Sequence, residues 1–187
     1  MQKLSAAELL AQYAEGRRDF SNIDLSGVDL FEANLWEIDL QGSVLVGSYL
    51  PYANLSQSNL ARSQFESAEL GNAQLYRANL TGANFAQANL ARANLRTATL
   101  QDATLIGSNL QDADLRSADL SNVDLSNADL SRANLTKAKL VGTNLSGCNL
   151  FRCQGADLAD AQLDSKTVDP NGYREFDDGN EAGEPDG

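Results

Sequence analysis

The sequence predicts an all-β solenoid closed at its N-terminal end by a short α-helix, and three observations predict it. A Leu or Phe stands at every fifth position from Phe20 to Leu150, 27 positions without a miss. Two residues before each is a mostly small residue, as at Ala33, Ala53, Ala73 and Ala93, and between the two is usually Asn or Asp, as at Asn34, Asp39, Asn79, Asp114 and Asp129. Seven glycines, Gly27, Gly42, Gly47, Gly82, Gly107, Gly142 and Gly147, all stand two residues after a Leu or Phe of the series.

A helix repeats every 3.6 residues and a strand every 2, so a period of five belongs to neither. The repeat itself resolves the conflict. With the Leu/Phe position called i, residues i−2 and i share one face of a short extended segment and i−1 points the other way. Residues i+1 and i+2 must then turn the chain so that the next i−2 faces inward again, which closes a polygonal coil with apolar corners inside. Sorted with four repeats per circuit, the seven glycines fall on two adjacent faces, those that begin with Phe20 and Leu25. The same sorting stacks Phe65 directly below Phe85, twenty residues on.

Runs such as Ala-Asn-Leu at 93–95 and Ala-Asp-Leu at 128–130 resemble the A(D/N)LXX signature of the pentapeptide-repeat family. The resemblance covers about four-fifths of the chain and implies a right-handed quadrilateral β-helix, four pentapeptides per coil, with i and i−2 inward. Roughly seven coils at ~4.8 Å give a rod on the order of 35 Å long. Each coil touches only its neighbours, so stability accumulates along the rod.

Along the chain the organisation divides into an N-terminal capping helix (1–18), the pentapeptide-repeat β-helix (19–150), a phase-shifted closing coil and C-terminal cap (151–176) and an acidic, disordered tail (177–187). Ser5 followed by Glu8 is a capping-box pattern, Leu4 and Leu9 are placed for a hydrophobic staple, and Gly16 is a natural stop. A helix this short needs tertiary support; lying across the first coil, it would cover open strand edges and the end of the core. The i−1 Asn and Asp side chains are expected to bond backbone groups or to stack as ladders. After Leu150 the phase slips, and Leu158, Leu163, Val168 and Tyr173 are expected to carry the inward series through a degenerate last coil. Asp169-Pro170-Asn171-Gly172 is a turn.

Composition narrows the function. The net charge is −12, and half of it lies in residues 164–187. The rod itself is banded: Asp19 to Asp39 holds six acids and no base, Arg132 to Arg152 four bases and no acid. A banded surface argues against direct nucleic-acid binding, which wants a continuous basic stripe. There is no apolar run of membrane-spanning length and no signal-peptide core, so the expected setting is cytoplasmic. The chain has no His, which removes the commonest general base and metal ligand. The carboxylates follow repeat logic on a convex rod, with no cleft to tune them. The reading is therefore non-enzymatic, with no cofactor and no metal. Cys148 and Cys153 occupy consecutive i−2 positions and read as buried thiols, with a disulfide or redox role left open.

What the repeat does not require is more telling. One outward column reads Trp36, Ser56, Tyr76, Arg96, Arg116 and Thr136, and the adjacent face carries Phe31, Tyr49 and Tyr52. Aromatics and Arg are what protein interfaces favour. Phe31, Trp36, Tyr49, Tyr52, Tyr76, Arg96 and Arg116 are thus the candidate partner-binding residues, on a monomer or weak dimer. The lead-in Tyr13-Ala14-Glu15-Gly16-Arg17-Arg18-Asp19-Phe20 resembles that of cyanobacterial pentapeptide-repeat proteins, and implies a regulator that binds a partner protein such as a transcription factor. The alternative is a DNA mimic that inhibits gyrase, as in the quinolone-resistance branch of the family. Total charge fits it; the basic band and the placing of acidity in the tail do not.

Overall fold

The structure, a computed structural model, describes residues 1–174. From Asp19–Asp39 to Asn134–Gln154, parallel bridges join i−1 residues twenty apart, so four quintets make one circuit and the chain winds as a right-handed quadrilateral β-helix. Each corner repeats one hydrogen-bond set. At the corner of Leu30, the N–H of Leu30 donates to Tyr49 O in the next coil at 2.7 Å, and the N–H of Ala33 closes the turn on Leu30 O at 3.0 Å.

All 27 residues at i+2 have φ between +54° and +69°. Twenty of them are not glycine, and a left-handed non-glycine residue costs of order 1–3 kcal/mol. The coil is held against that cost by its core and its ladder. Glycine at i+2 also makes room: a Cβ at Gly142 or Gly147 would meet the Asn122 or Asn127 side chain of the preceding coil at 2.7 or 2.6 Å.

The interior is filled by the Leu/Phe series, each member buried and contributing roughly 1.5–3 kcal/mol. Phe65 and Phe85 stack at 4.7 Å with planes 4° apart, one coil spacing. Inward hydroxyls bond carbonyls of the turn before them or of the coil below: Ser48 Oγ donates to Leu45 O at 2.6 Å, and Thr143 Oγ1 to Leu120 O at 2.8 Å. The i−1 side chains do both things expected of them. Their Oδ1 atoms accept the N–H two residues on, as Asp39 does from Gln41 (2.9 Å), and they ladder between coils, as Asn54 Nδ2 does to Asn34 Oδ1 (3.0 Å).

Helix α1 spans Ala6–Ala14 and begins with the complete capping box: Ser5 N–H donates to Glu8 Oε2 at 2.8 Å and Glu8 N–H to Ser5 Oγ at 3.3 Å. Leu4 and Leu9 are buried, and Ala6 and Tyr13 pack on the core. The helix does not cover the open edge by itself. Strand β1 (Gln2–Lys3) pairs in parallel with β2 (Ile23–Asp24), and Leu4 N–H donates to Asp24 O at 3.1 Å. Residues 2–4 thereby stand where a preceding coil would pass. Among the described residues, no helix is long and apolar enough to cross a membrane.

At the other end the circuit shortens, Asn144 pairing with Gln162 and Asn149 with Val168. The expected inward series does not continue through it. Leu163 is 39% and Tyr173 68% exposed, Val168 takes an i−1 ladder place, and Thr167 points inward instead. The cause is local. Asp164 Oδ1 accepts the N–H groups of Lys166, Thr167 and Gly147 within 3.0 Å, which inserts one residue into the turn, and Thr167 Oγ1 donates to Leu145 O at 3.0 Å. The tail expected at 177–187, and the last two residues of the expected cap, lie outside the described residues.

Candidate protein-docking face

Three of the candidate residues are brought together by the coil. Phe31 leaves the Leu30 turn at i+1, its N–H held by Asp29 Oδ1 at 3.0 Å. Tyr49 replaces the polar i−1 residue one coil on, bridged on its two sides to Asp29 and Glu69. Tyr52 is the left-handed i+2 residue of that coil (φ +60°), its N–H on Gly71 O at 3.0 Å. Positions i−1, i+1 and i+2 all flank one corner, so the rings meet. Phe31 and Tyr49 are near parallel, centroids 6.2 Å apart and planes 18° from each other, while Tyr52 stands edge-on to Phe31 at 6.0 Å. All three are roughly half exposed, at 47%, 46% and 55%.

The other four candidates run along the neighbouring column and do not join this cluster. Trp36 is 40% exposed, and its carbonyl accepts the Tyr13 hydroxyl of α1 at 2.8 Å. Tyr76, two coils further, is partly buried under its own neighbour, the Arg77 guanidinium lying 5.2 Å from the ring centre. Arg96 is exposed. Arg116 is engaged within the chain, its Nε and Nη2 donating to the two oxygens of Asp114 at 2.8 and 2.5 Å. That pairing raises the Arg116 pKa and lowers that of Asp114.

The carboxylates around the rings, Asp29, Glu32 and Glu69, are not among the candidates, though the twenty-residue rule finds them when applied to the i−1 and i+2 columns. Tyr13 and its bond to Trp36 have no such signal. Charge is handled differently further along the rod. The three salt bridges among the described residues, Arg132–Asp112 (2.8 Å), Arg116–Asp114 (2.5 Å) and Lys139–Asp119 (3.1 Å), all fall between residues 112 and 139. The two inward thiols are free and buried. Burial pushes Cys148 up to about 12 and Cys153 up to about 11, and the Cys148 thiol donates to Leu125 O at 2.7 Å. A cavity of about 250 Å³ opens at the C-terminal end between Leu150, Leu158, Leu163 and Tyr173, away from every candidate residue.

Two family models match the sequence, one described as a pentapeptide repeat region over residues 18–91, the other as pentapeptide repeats (8 copies) over 73–112 and 113–150. Among solved structures the chain is similar to HetL, a pentapeptide repeat protein involved in heterocyst differentiation regulation from the cyanobacterium Nostoc sp. strain PCC 7120. Identity is 27% over 91% of this chain and 99% of that one, with a TM-score of 0.38. It is also similar to trypsin-treated QnrB1, a plasmid-mediated fluoroquinolone resistance protein (19% identity, 78% and 80% covered, TM-score 0.42). A third similar structure is Rfr23 from the cyanobacterium Cyanothece 51142 (26% identity, 88% and 99% covered, TM-score 0.29). No protein of curated function matches the sequence.

Proposed function

The chain belongs to the pentapeptide-repeat family, and from that premise we propose that it is a non-catalytic scaffold of the cytoplasm that holds a protein partner on the N-terminal half of its rod. It acts as a regulator by occupying that partner, for which the lead-in at Tyr13–Phe20 suggests a transcription factor. One observation carries the reading. Phe31, Tyr49 and Tyr52 hold large rings in mutual contact at outward positions where the repeat asks only for polar or small residues. Exposed apolar clusters rimmed by polar residues mark interaction sites. Trp36, Tyr76, Arg96 and Arg116 extend the proposed surface along the next column.

A photo-crosslinker placed at Tyr52 is expected to trap one partner in the source cell, and the same group at Asp102, on the opposite side of the coil, to trap none. Equal trapping at both positions would remove the reading. The DNA-mimic alternative is favoured by the total charge of −12 and by acidity in the first three coils. Inhibition of gyrase supercoiling at stoichiometric protein would promote it.

A further inference from the structure

Three outward rings are covered by the chain's own arginines, while the exposed rings of Trp36 and Tyr173 are not. Among the described residues a guanidinium lies over Tyr13 (Arg18, 4.0 Å), Tyr76 (Arg77, 5.2 Å) and Phe151 (Arg152, 4.9 Å). None lies over Phe31, Tyr49 or Tyr52. Phe31 and Phe151 occupy the same i+1 column, yet the residue that follows is Glu32 in one case and Arg152 in the other.

The surroundings of the uncovered rings are acidic and geometrically fixed. Asp29, Tyr49 and Glu69 are successive partners in one ladder, and Glu32 lies one coil before Tyr52 in the i+2 column, its N–H on Pro51 O at 3.0 Å. Pro51 and Gly71 continue the i+1 column beyond Phe31, so the ground between Tyr49 and Tyr52 is low. Residues 19–76 carry eight acids against Arg62 alone, and none of these acids has a salt-bridge partner among the described residues. A planar guanidinium stacks on an aromatic face while its edges donate to carboxylates, and both halves of that requirement are met on this patch.

We propose that the Phe31–Tyr49–Tyr52 cluster, framed by Asp29, Glu32 and Glu69, is a docking site for an arginine-bearing basic segment of the partner protein. The partner's guanidinium completes the pairing that Arg152 provides for Phe151 within the chain. The proposal rests on the scaffold reading and adds the chemistry of the segment that is held.

The test is an NMR titration of the full chain, labelled on Phe and Tyr rings, with a capped Gly-Arg-Gly-Arg-Gly peptide and its citrulline twin, which keeps the shape and removes the charge. The arginine peptide is expected to move the ring signals of Phe31, Tyr49 and Tyr52 saturably, and the twin to bind roughly tenfold more weakly. Glu32→Gln with Glu69→Gln, both on the surface and outside the core, is expected to weaken the arginine peptide by a similar factor. Ring signals unmoved by the arginine peptide, or moved equally by the twin, would overturn the proposal. If that happens while crosslinking at Tyr52 still traps a partner, the scaffold reading stands and only the arginine is lost. If crosslinking is also equal at Tyr52 and Asp102, both fall.

Discussion

The two ends of one column, Phe31 and Phe151, hold the same residue at the same corner position 120 residues apart, and the chain treats them in opposite ways. At the C-terminal end the ring is used internally: Arg152 lies over it and the backbone turn at Gly172 sits so close that a Cβ there would meet the ring at 3.2 Å. At the N-terminal end Glu32 replaces the arginine, and the ring meets two other exposed rings while staying 47% exposed. In this repeat the inward positions fix the fold and leave the outward ones free. The same scaffold position can then be completed from within or left for another molecule.

The largest expected effect separates inward from outward aromatics. Phe85→Ala removes one half of the buried stack and is expected to cost about 3–5 kcal/mol in urea unfolding, whereas Phe31→Ala changes the midpoint little. Equal losses would mean that Phe31 is structural. Next is the exchange that makes the two ends alike. Glu32→Arg gives the N-terminal ring a guanidinium of its own, and is expected to lower affinity for the arginine peptide at least roughly tenfold with the circular dichroism unchanged. The reverse exchange, Arg152→Glu, uncovers Phe151 and is expected to cost only about 0.5–1 kcal/mol.

Acid should also distinguish the ends. Asp112 and Asp114 are held below the usual carboxylate range chiefly by Arg132 and Arg116. At Asp119 and Asp129 burial pulls upward, but hydrogen bonds from Ser121 and Lys139, and from Ser131 and Gln111, outweigh it. Lowered folded pKa values mean that the unfolded chain binds more protons, so this stability is present above the ordinary value of 3.8 and is lost as pH falls through the lowered ones. Hydrogen exchange is expected to rise in coils 112–139 below pH about 4 before it rises around Phe31, where the described residues form no salt bridge. The smallest effect is chemical. Native Cys148 and Cys153 should alkylate far more slowly at pH about 8 than a free thiol does, and at the ordinary rate once unfolded.

Most of the scaffold was legible in the sequence because five-residue spacing leaves few ways to close a coil. The seven i+2 glycines pointed to four corners because that sorting gathers them on two adjacent faces, and Phe65 and Phe85 then had to stack. The capping box was equally local. What could not be read depended on side-chain direction or on very short segments. Gln2–Lys3 is too brief to show a pattern, yet it pairs with Ile23–Asp24. The meeting of Phe31 with Tyr49 and Tyr52 was narrowed only to a face, since ring contact across columns depends on rotamers. The closing coil misled because Leu163, Val168 and Tyr173 keep the spacing of five, while Asp164 gathers three N–H groups and adds a residue that spacing does not reveal.

The twenty-residue ladder has a consequence for how such a chain can change length. Deleting a full circuit, for instance residues 91–110, brings the two ends closer and leaves Phe31 and Phe151 in line along the rod. Deleting a single quintet swings everything beyond it through about a quarter of a revolution, and turns the basic residues near Arg132 toward another side. Insertions and deletions therefore work as two separate dials, fives for azimuth and twenties for reach.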